Sequence, residues 1–352
     1  MDTKIIKMDE ENIDTEAIDE AGRIIRDGGL VAFPTETVYG LGGDALNADS
    51  SGKIYAAKGR PSDNPLIVHI AGMEDLAGIV RKIPEEAYLL AERYWPGPLT
   101  MIFEKADCVP TATTGGLDTV AVRMPSNKIA RALIQSAGGY IAAPSANLSG
   151  RPSPTVAKYV IEDLDGRVEM IIDGGEADIG LESTIIDLTG DKPVILRPGY
   201  ITEEMLEETV GGVDVDRTIL EGNSKQAPKA PGMKYRHYAP KGNLTIIEGQ
   251  ADQVVNYINE HAYAFKKEGN KTGVIATDET AGRYQADSIK SVGKREDENQ
   301  IARQLFRILR EFDDEGVQII YAESFDGKGV GQAIMNRLLK AAGHQVIKLQ
   351  FL

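Results

Sequence analysis

Two stretches of this chain combine cations, small hydroxyls and amides with Gly and Pro. They are Lys58-Gly59-Arg60-Pro61-Ser62-Asp63-Asn64-Pro65-Leu66 and Pro144-Ser145-Ala146-Asn147-Leu148-Ser149-Gly150-Arg151-Pro152. Gly lets the backbone approach a ligand closely, and Lys and Arg heads clamp phosphate. Lys58 and Arg60 stand two residues apart, so their side chains project differently and would converge only on a bulky anion such as a triphosphate. Asn64 offers an amide for a base or ribose. A third stretch, Pro34-Thr35-Glu36-Thr37-Val38-Tyr39-Gly40-Leu41, follows an apolar run. Its hydroxyls would either bind a polar ligand or satisfy a turn's own backbone groups. His69 lies in the apolar run 66–70, where a hydrogen-bonded structural histidine is the plainer reading than a base.

Other chemistries lack their residues. The sequence contains no Ser-His-Asp order, no His-Glu-x-x-His and no G-x-x-x-x-G-K-[ST]. The four histidines, His69, His237, His261 and His344, show no metal-ligand spacing. The single cysteine, Cys108, rules out an internal disulfide and reads as an inert, half-buried thiol. Cations, hydroxyls and amides suit phosphoryl or nucleotidyl transfer, where positioning and charge neutralisation supply most of the catalysis.

Charge narrows the ligand. The net charge of −15 argues against a broad nucleic-acid surface. Residues 1–204 carry 19 Lys and Arg against 33 Asp and Glu, so most of the excess is there. Within that acidic half, Lys58, Arg60, Arg123, Arg151 and Arg197 occupy Gly/Pro-rich or strand-end segments, which points to a focused pocket for a small anion. No apolar run reaches the ~18 residues of a membrane span. The N-terminus lacks a basic, apolar signal, so a cytoplasmic location is expected.

The elements that must position these residues follow from periodicity. An amphipathic helix is predicted over 14–27 and strands over 30–33, 66–70, 99–103, 120–123, 140–143, 170–173, 184–188 and 194–196. Helices are predicted over 51–57, 85–94, 128–137, 156–163 and 202–209. This irregular mixture implies a layered α/β domain over 14–204. Residues 205–242 read as a linker. From Gly222 to Ile247 it has no acidic residue and three prolines, with Met233, Tyr235 and Tyr238 among its cations. That content suits a linker that packs on the first domain's pocket. Residues 243–352 alternate strands (244–248, 273–276, 317–322, 346–349) with helices (253–266, 298–311, 331–342), which predicts a small Rossmann-like parallel sheet. Gly327-Lys328-Gly329-Val330-Gly331 reads as a glycine turn.

At Pro34–Gly40, Lys58–Leu66, Trp95–Thr100, Ala121–Pro125, Pro144–Gly150, Ser183–Asp187 and Leu196–Gly199 the chain resembles the threonylcarbamoyl-AMP synthase family, the YrdC-like proteins. Pro231–Pro240 and the residues beyond resemble that family's long, two-domain form. The resemblance implies a twisted α/β first domain with a concave pocket. It implies that L-threonine, bicarbonate or CO2, and ATP give threonylcarbamoyl-AMP and pyrophosphate, with Mg2+ held mainly through the ATP phosphates. Downstream transfer proteins would use the adenylate to modify tRNA, and weak tRNA binding by this chain itself is compatible with that. Lys58 and Arg60 are the implied catalytic residues. Arg60, Asn64, Thr119, Ser145, Asn147, Ser153, Arg197 and Tyr235 are implied at ATP. Thr37, His69, Arg123, Ala143 and Ser183 are implied at L-threonine. Two rival readings are a double-stranded RNA-binding module and a carbamoyl-transfer protein. ATP- and threonine-dependent pyrophosphate release separates both from the synthase.

Overall fold

The computed structural model describes residues 2–216 and 237–349. The chain divides into two compact units, residues 1–149 with 153–235, and residues 150–152 with 236–352. Tyr235 and most of the expected linker lie outside the described residues.

The first unit runs β1 (Lys4–Lys7), α1 (Thr15–Arg26), β2 (Val31–Phe33), β3 (Gly40–Asp44), α2 (Ala48–Lys58), β4 (Ile67–His69) and α3 (Met73–Leu76). It continues with α4 (Glu85–Tyr94), β5 (Leu99–Glu104), β6 (Thr119–Arg123), α5 (Lys128–Ser136), β7 (Ile141–Ala143) and α6 (Ala157–Leu164). β8 (Met170–Asp173), β9 (Thr184–Asp187), β10 (Val194–Arg197), α7 (Glu203–Val210) and β11 (Asp214–Val215) complete it. The eleven strands form one mixed sheet in the order β1-β8-β2-β3-β7-β4-β6-β5-β9-β10-β11.

Alternation along the strands sorts the buried apolar side chains between separate clusters on the two faces of the sheet. Val31 and Phe33 join α1 and α5 in one cluster, and Ala32 joins the other. Met170 and Ile172 likewise separate from Ile171. α1 starts where the Asp14 side chain accepts from the Ala17 amide and buries Ile18, Ala21 and Ile25. α2 ends at Gly59, whose φ of 62° is left-handed, so the chain turns sharply into Arg60.

α7 stands where a helix was expected over 202–209, and Asp214–Val215, within the stretch read as linker, form β11, which pairs in parallel with β10. β1 and β3 were not expected. β1 is a short, exposed edge strand, and β3 is so rich in glycine that it carries little apolar signal. Its glycines serve packing: a Cβ on Gly42 would stand 2.7 Å from Ile141 Cγ2.

The second unit holds β12 (Asn243–Glu248), α8 (Ala251–Lys267), β13 (Thr272–Ala276), β14 (Ser288–Ser291), α9 (Glu298–Asp314), β15 (Ile319–Glu323), α10 (Gly329–Ala341) and β16 (Val346–Lys348). Its five strands are ordered β14-β13-β15-β12-β16, and every pair is parallel, as expected of a Rossmann-like sheet. The expected glycine turn is only half a turn, because Gly329 and Gly331 already lie in α10. No helix among the described residues is long and apolar enough to cross a membrane.

Candidate active site

Strand register sets the first part of the site. β4 and β6 run parallel with His69 opposite Arg123, and antiparallel β5 places Thr100 on the other side of Arg123. The Arg123 side chain is buried, and each of its three nitrogens faces a partner. Nη1 donates to Thr37 Oγ1 at 2.8 Å and Nε donates to the Gly97 carbonyl at 3.3 Å. Nη2 lies 2.6 Å from Glu36 Oε1. That last contact is an ion pair without hydrogen-bond alignment, since neither Glu36 oxygen has a hydrogen-bond partner. Thr37 Oγ1 also lies 2.9 Å from Thr35 Oγ1.

His69 is buried beside this pair, with Nδ1 3.1 Å from the Ile67 carbonyl. Burial first, and the nearby Arg123 charge second, lower its pKa to about 3. It is therefore a neutral ring at physiological pH, which fits a structural or contact role rather than a base.

Ser183 and Arg197 form the next group. Arg197 donates through Nε to the Ser183 carbonyl and through Nη2 to Ser183 Oγ, both at 3.0 Å. Thr100 Oγ1 lies 2.7 Å from the same Ser183 Oγ. Gly199 explains the Pro-Gly after β10. A Cβ there would stand 2.4 Å from the Thr184 amide nitrogen, so only glycine fits this approach.

The other candidates gather at the opposite end of the same strands. Asn64 precedes β4 and Thr119 opens β6; with Ile67 opposite Ala121, both stand at one end. Thr119 and Arg123 are four residues apart, about 13 Å along a strand. Ala143, buried in β7, pairs with Ile67, so the Ser145–Asn147 loop leaves β7 towards the Asn64 end. Asn64 is 1% exposed, yet its Oδ1 has no hydrogen-bond partner, a buried acceptor left unsatisfied.

The cations of the first motif are separated. Lys58, 2% exposed at the end of α2, donates through Nζ to the Ser145 and Asn147 carbonyls. Arg60 donates to the Asn64 and Pro65 carbonyls at 3.3 and 3.1 Å. The two heads brace two different loops rather than converging on one point. Ser145 Oγ donates to Asn147 Oδ1 at 2.6 Å, and Ser153 Oγ donates to Glu182 Oε1 at 2.6 Å. Segment 36–39 links the two ends of the site. It receives the Ile179 and Gly180 amides, pairs Tyr39 with Pro154, and bridges Gly40 to Ser145.

Sequence reading missed Glu36, Thr100 and Glu182, although all three stand in or beside motifs already singled out. For Glu36 and Glu182, a carboxylate set beside hydroxyl residues was the available signal. Arg197 stands with Ser183 rather than with Asn64 and Thr119. Arg151 belongs to the second unit. Cys108 is exposed, not half-buried, because it sits on the turn after β5.

A family model described as telomere recombination, covering the Sua5, YciO and YrdC proteins, matches residues 23–199. A second, described as the C-terminal domain of threonylcarbamoyl-AMP synthase, matches residues 201–343. The threonylcarbamoyl-AMP synthase of Pyrococcus abyssi is 51% identical over 339 residues, covering 96% of this chain and 98% of the relative. That of Bacillus subtilis is 50% identical over 341 residues, or 97% of each chain. The structure of Pyrococcus abyssi Sua5 complexed with L-threonine matches with a TM-score of 0.94 at 50% identity, over 99% of this chain and 100% of that one. A two-part chain whose strand ends gather Arg123, Thr37, Ser183 and Arg197 at one side and Asn64, Thr119 and the Ser145–Asn147 loop at the other thus belongs to the threonylcarbamoyl-AMP synthase family of nucleotidyltransferase-type enzymes.

Proposed function

We propose that this chain joins L-threonine, bicarbonate-derived CO2 and ATP into threonylcarbamoyl-AMP, releasing pyrophosphate, as the adenylate-forming step of tRNA threonylcarbamoyladenosine synthesis. The observation that carries this reading is the division of the site along β4 and β6 into an arginine–hydroxyl end and an amide–hydroxyl end.

L-Threonine occupies the end with Thr37, His69, Arg123 and Ser183, and reaches along β4 to Ala143 opposite Ile67. A guanidinium has five N–H groups, more than the present partners of Arg123 use, so it orients the threonine carboxylate. The neutral His69 ring adds no competing charge. ATP lies towards Asn64, Thr119, Ser145, Asn147 and Ser153, with the buried Asn64 Oδ1 accepting from the nucleotide.

The amine of threonine adds to CO2, forming an N–C bond and losing a proton. A carbamate oxygen then attacks the α-phosphorus in line. The P–O bond to the β-phosphate breaks, and pyrophosphate leaves with the electron pair. Lys58 and Arg60 keep the two nucleotide loops in place and contribute positive potential, while Arg197 contributes it from beside Ser183. Such preorganised charge acts without reorganisation at the moment of reaction. Among the described residues no three His, Cys, Asp or Glu side chains gather as a metal cage. Mg2+ would be carried by the triphosphate oxygens, where it would neutralise phosphate charge. The adenylate then passes to tRNA-modifying transfer proteins in the cytoplasm.

Pyrophosphate release by the purified protein, with ATP, Mg2+ and bicarbonate, tests this. Release that depends on L-threonine is expected. Release indifferent to L-threonine, or none while ATP still binds, would refute it.

A further inference from the structure

The chain leaves the first unit for three residues, Gly150, Arg151 and Pro152, and then returns to it. Those residues follow Asn147 closely and end immediately before Ser153, so they lie inside the nucleotide motif. One face of α9, carrying Phe306, Arg310 and Asp313 at helical spacing, holds them. Arg310 is 0% exposed and donates to the Pro152 carbonyl through Nε at 3.0 Å and Nη2 at 2.6 Å. Asp313 Oδ2 stands 3.7 Å from Arg151 Nη2, and its Oδ1 accepts from the Lys241 amide at 2.7 Å. The Gly150 carbonyl accepts from the Ala239 amide at 2.9 Å. Tyr238, left-handed at a φ of 64°, lays its ring against Phe306 with centroids 5.0 Å apart.

A peptide unit is planar, so fixing the Pro152 carbonyl also fixes the amide of Ser153. We propose that Arg310 is a positioning residue for adenylate formation: it sets the Pro152–Ser153 peptide plane and thereby aims Ser153 at ATP. The same helix face holds residues 238–241, where the linker ends, so α9 ties the linker's exit to the nucleotide loop. This role rests on the adenylation reading, in which Ser153 faces ATP. It gives the C-terminal unit a part in catalysis through the covalent path of the loop, without a residue of its own touching substrate.

The test is steady-state pyrophosphate release with ATP and L-threonine varied in turn, for the full-length wild type, Arg310→Ala, Arg310→Lys and Asp313→Asn, alongside thermal melts. Arg310→Ala should raise KM for ATP on the order of tenfold, since small misplacements far from the chemistry are costly. KM for L-threonine should stay within about twofold, the threonine residues being on other loops. Arg310→Lys should recover part of the ATP effect, because an ammonium donates to the same carbonyl. Asp313→Asn should shift KM for ATP the same way by less. A purely structural role would lower kcat and leave both KM values unchanged, and that result would overturn the proposal. If Arg310→Ala does not fold, a wild-type KM for ATP in both Arg310→Lys and Asp313→Asn overturns it equally. A wild type without threonine-dependent release would overturn the adenylation reading itself and this role with it.

Discussion

Lys58 shows how one residue serves two ends. Its ammonium is buried among the carbonyls of Ser145 and Asn147, so it braces the loop that it also charges. Lys58→Ala removes both effects at once. Pyrophosphate release should fall at least about a hundredfold, the scale of losing one preorganised electrostatic group, while circular dichroism shows a folded protein. Thr37 is the matching case at the amino-acid end. Thr37→Val leaves the Arg123 Nη1 donor without its acceptor, a loss of ~1–3 kcal/mol for a buried group. Titration calorimetry should show L-threonine affinity down roughly ten- to a hundredfold, with ATP affinity nearly unchanged. Lys58, Arg60, Asn64, Ser145 and Asn147 drew notice because unusual residue types cluster in short motifs, and the fold joins Lys58 to the Ser145–Asn147 loop and Arg60 to Asn64. Glu36 and Glu182 did not draw notice. Their meaning depends on Arg123 and Ser153, which are distant in sequence and adjacent only after folding.

At the scale of elements, β4 buries a histidine against the arginine of β6, and this has a pH signature. The His69 pKa falls from an ordinary value near 6.5 to about 3 in the folded protein. Between those values the unfolded chain binds the extra proton, so His69 favours folding above the upper value. That contribution is lost progressively as pH falls through the window. The melting temperature should drop on acidification from pH 7 to pH 5, and His69→Gln should flatten that drop. An unchanged slope in the variant would contradict the burial argument. Most strands and helices were legible because their apolar periodicity is strong, as in α1 with Ile18, Ala21 and Ile25. β1, β3 and β14 escaped notice for physical reasons. β1 is an exposed edge, β3 is mostly glycine, and β14 (SIKS) alternates too briefly to signal a face. α7 was legible despite its acidic run, since Leu206 keeps one buried apolar position in it.

The whole molecule couples a mixed catalytic sheet to a parallel one through a chain that enters the second unit twice, at 150–152 and again at 236. Composition marks the stretch around the later crossing, where acidic residues vanish from Gly222 to Ile247. It could not reveal the earlier one, because nothing in Gly150-Arg151-Pro152 distinguishes a loop held by its own domain from one held by Arg310. A chain ending near Gly222 lacks the linker, Arg310 and Asp313 together. Its pyrophosphate release should fall well below that of the full chain, and full activity in the isolated first unit would refute any role for the rest.

In the proposed reaction a threonine-derived carbamate, not threonine itself, attacks ATP. Mass spectrometry of the product made with 13C-bicarbonate tests it most directly. The account predicts a threonylcarbamoyl adenylate that carries the heavy carbon and forms only when L-threonine and ATP are both present. An unlabelled threonyl adenylate, or AMP with no threonine attached, would contradict it.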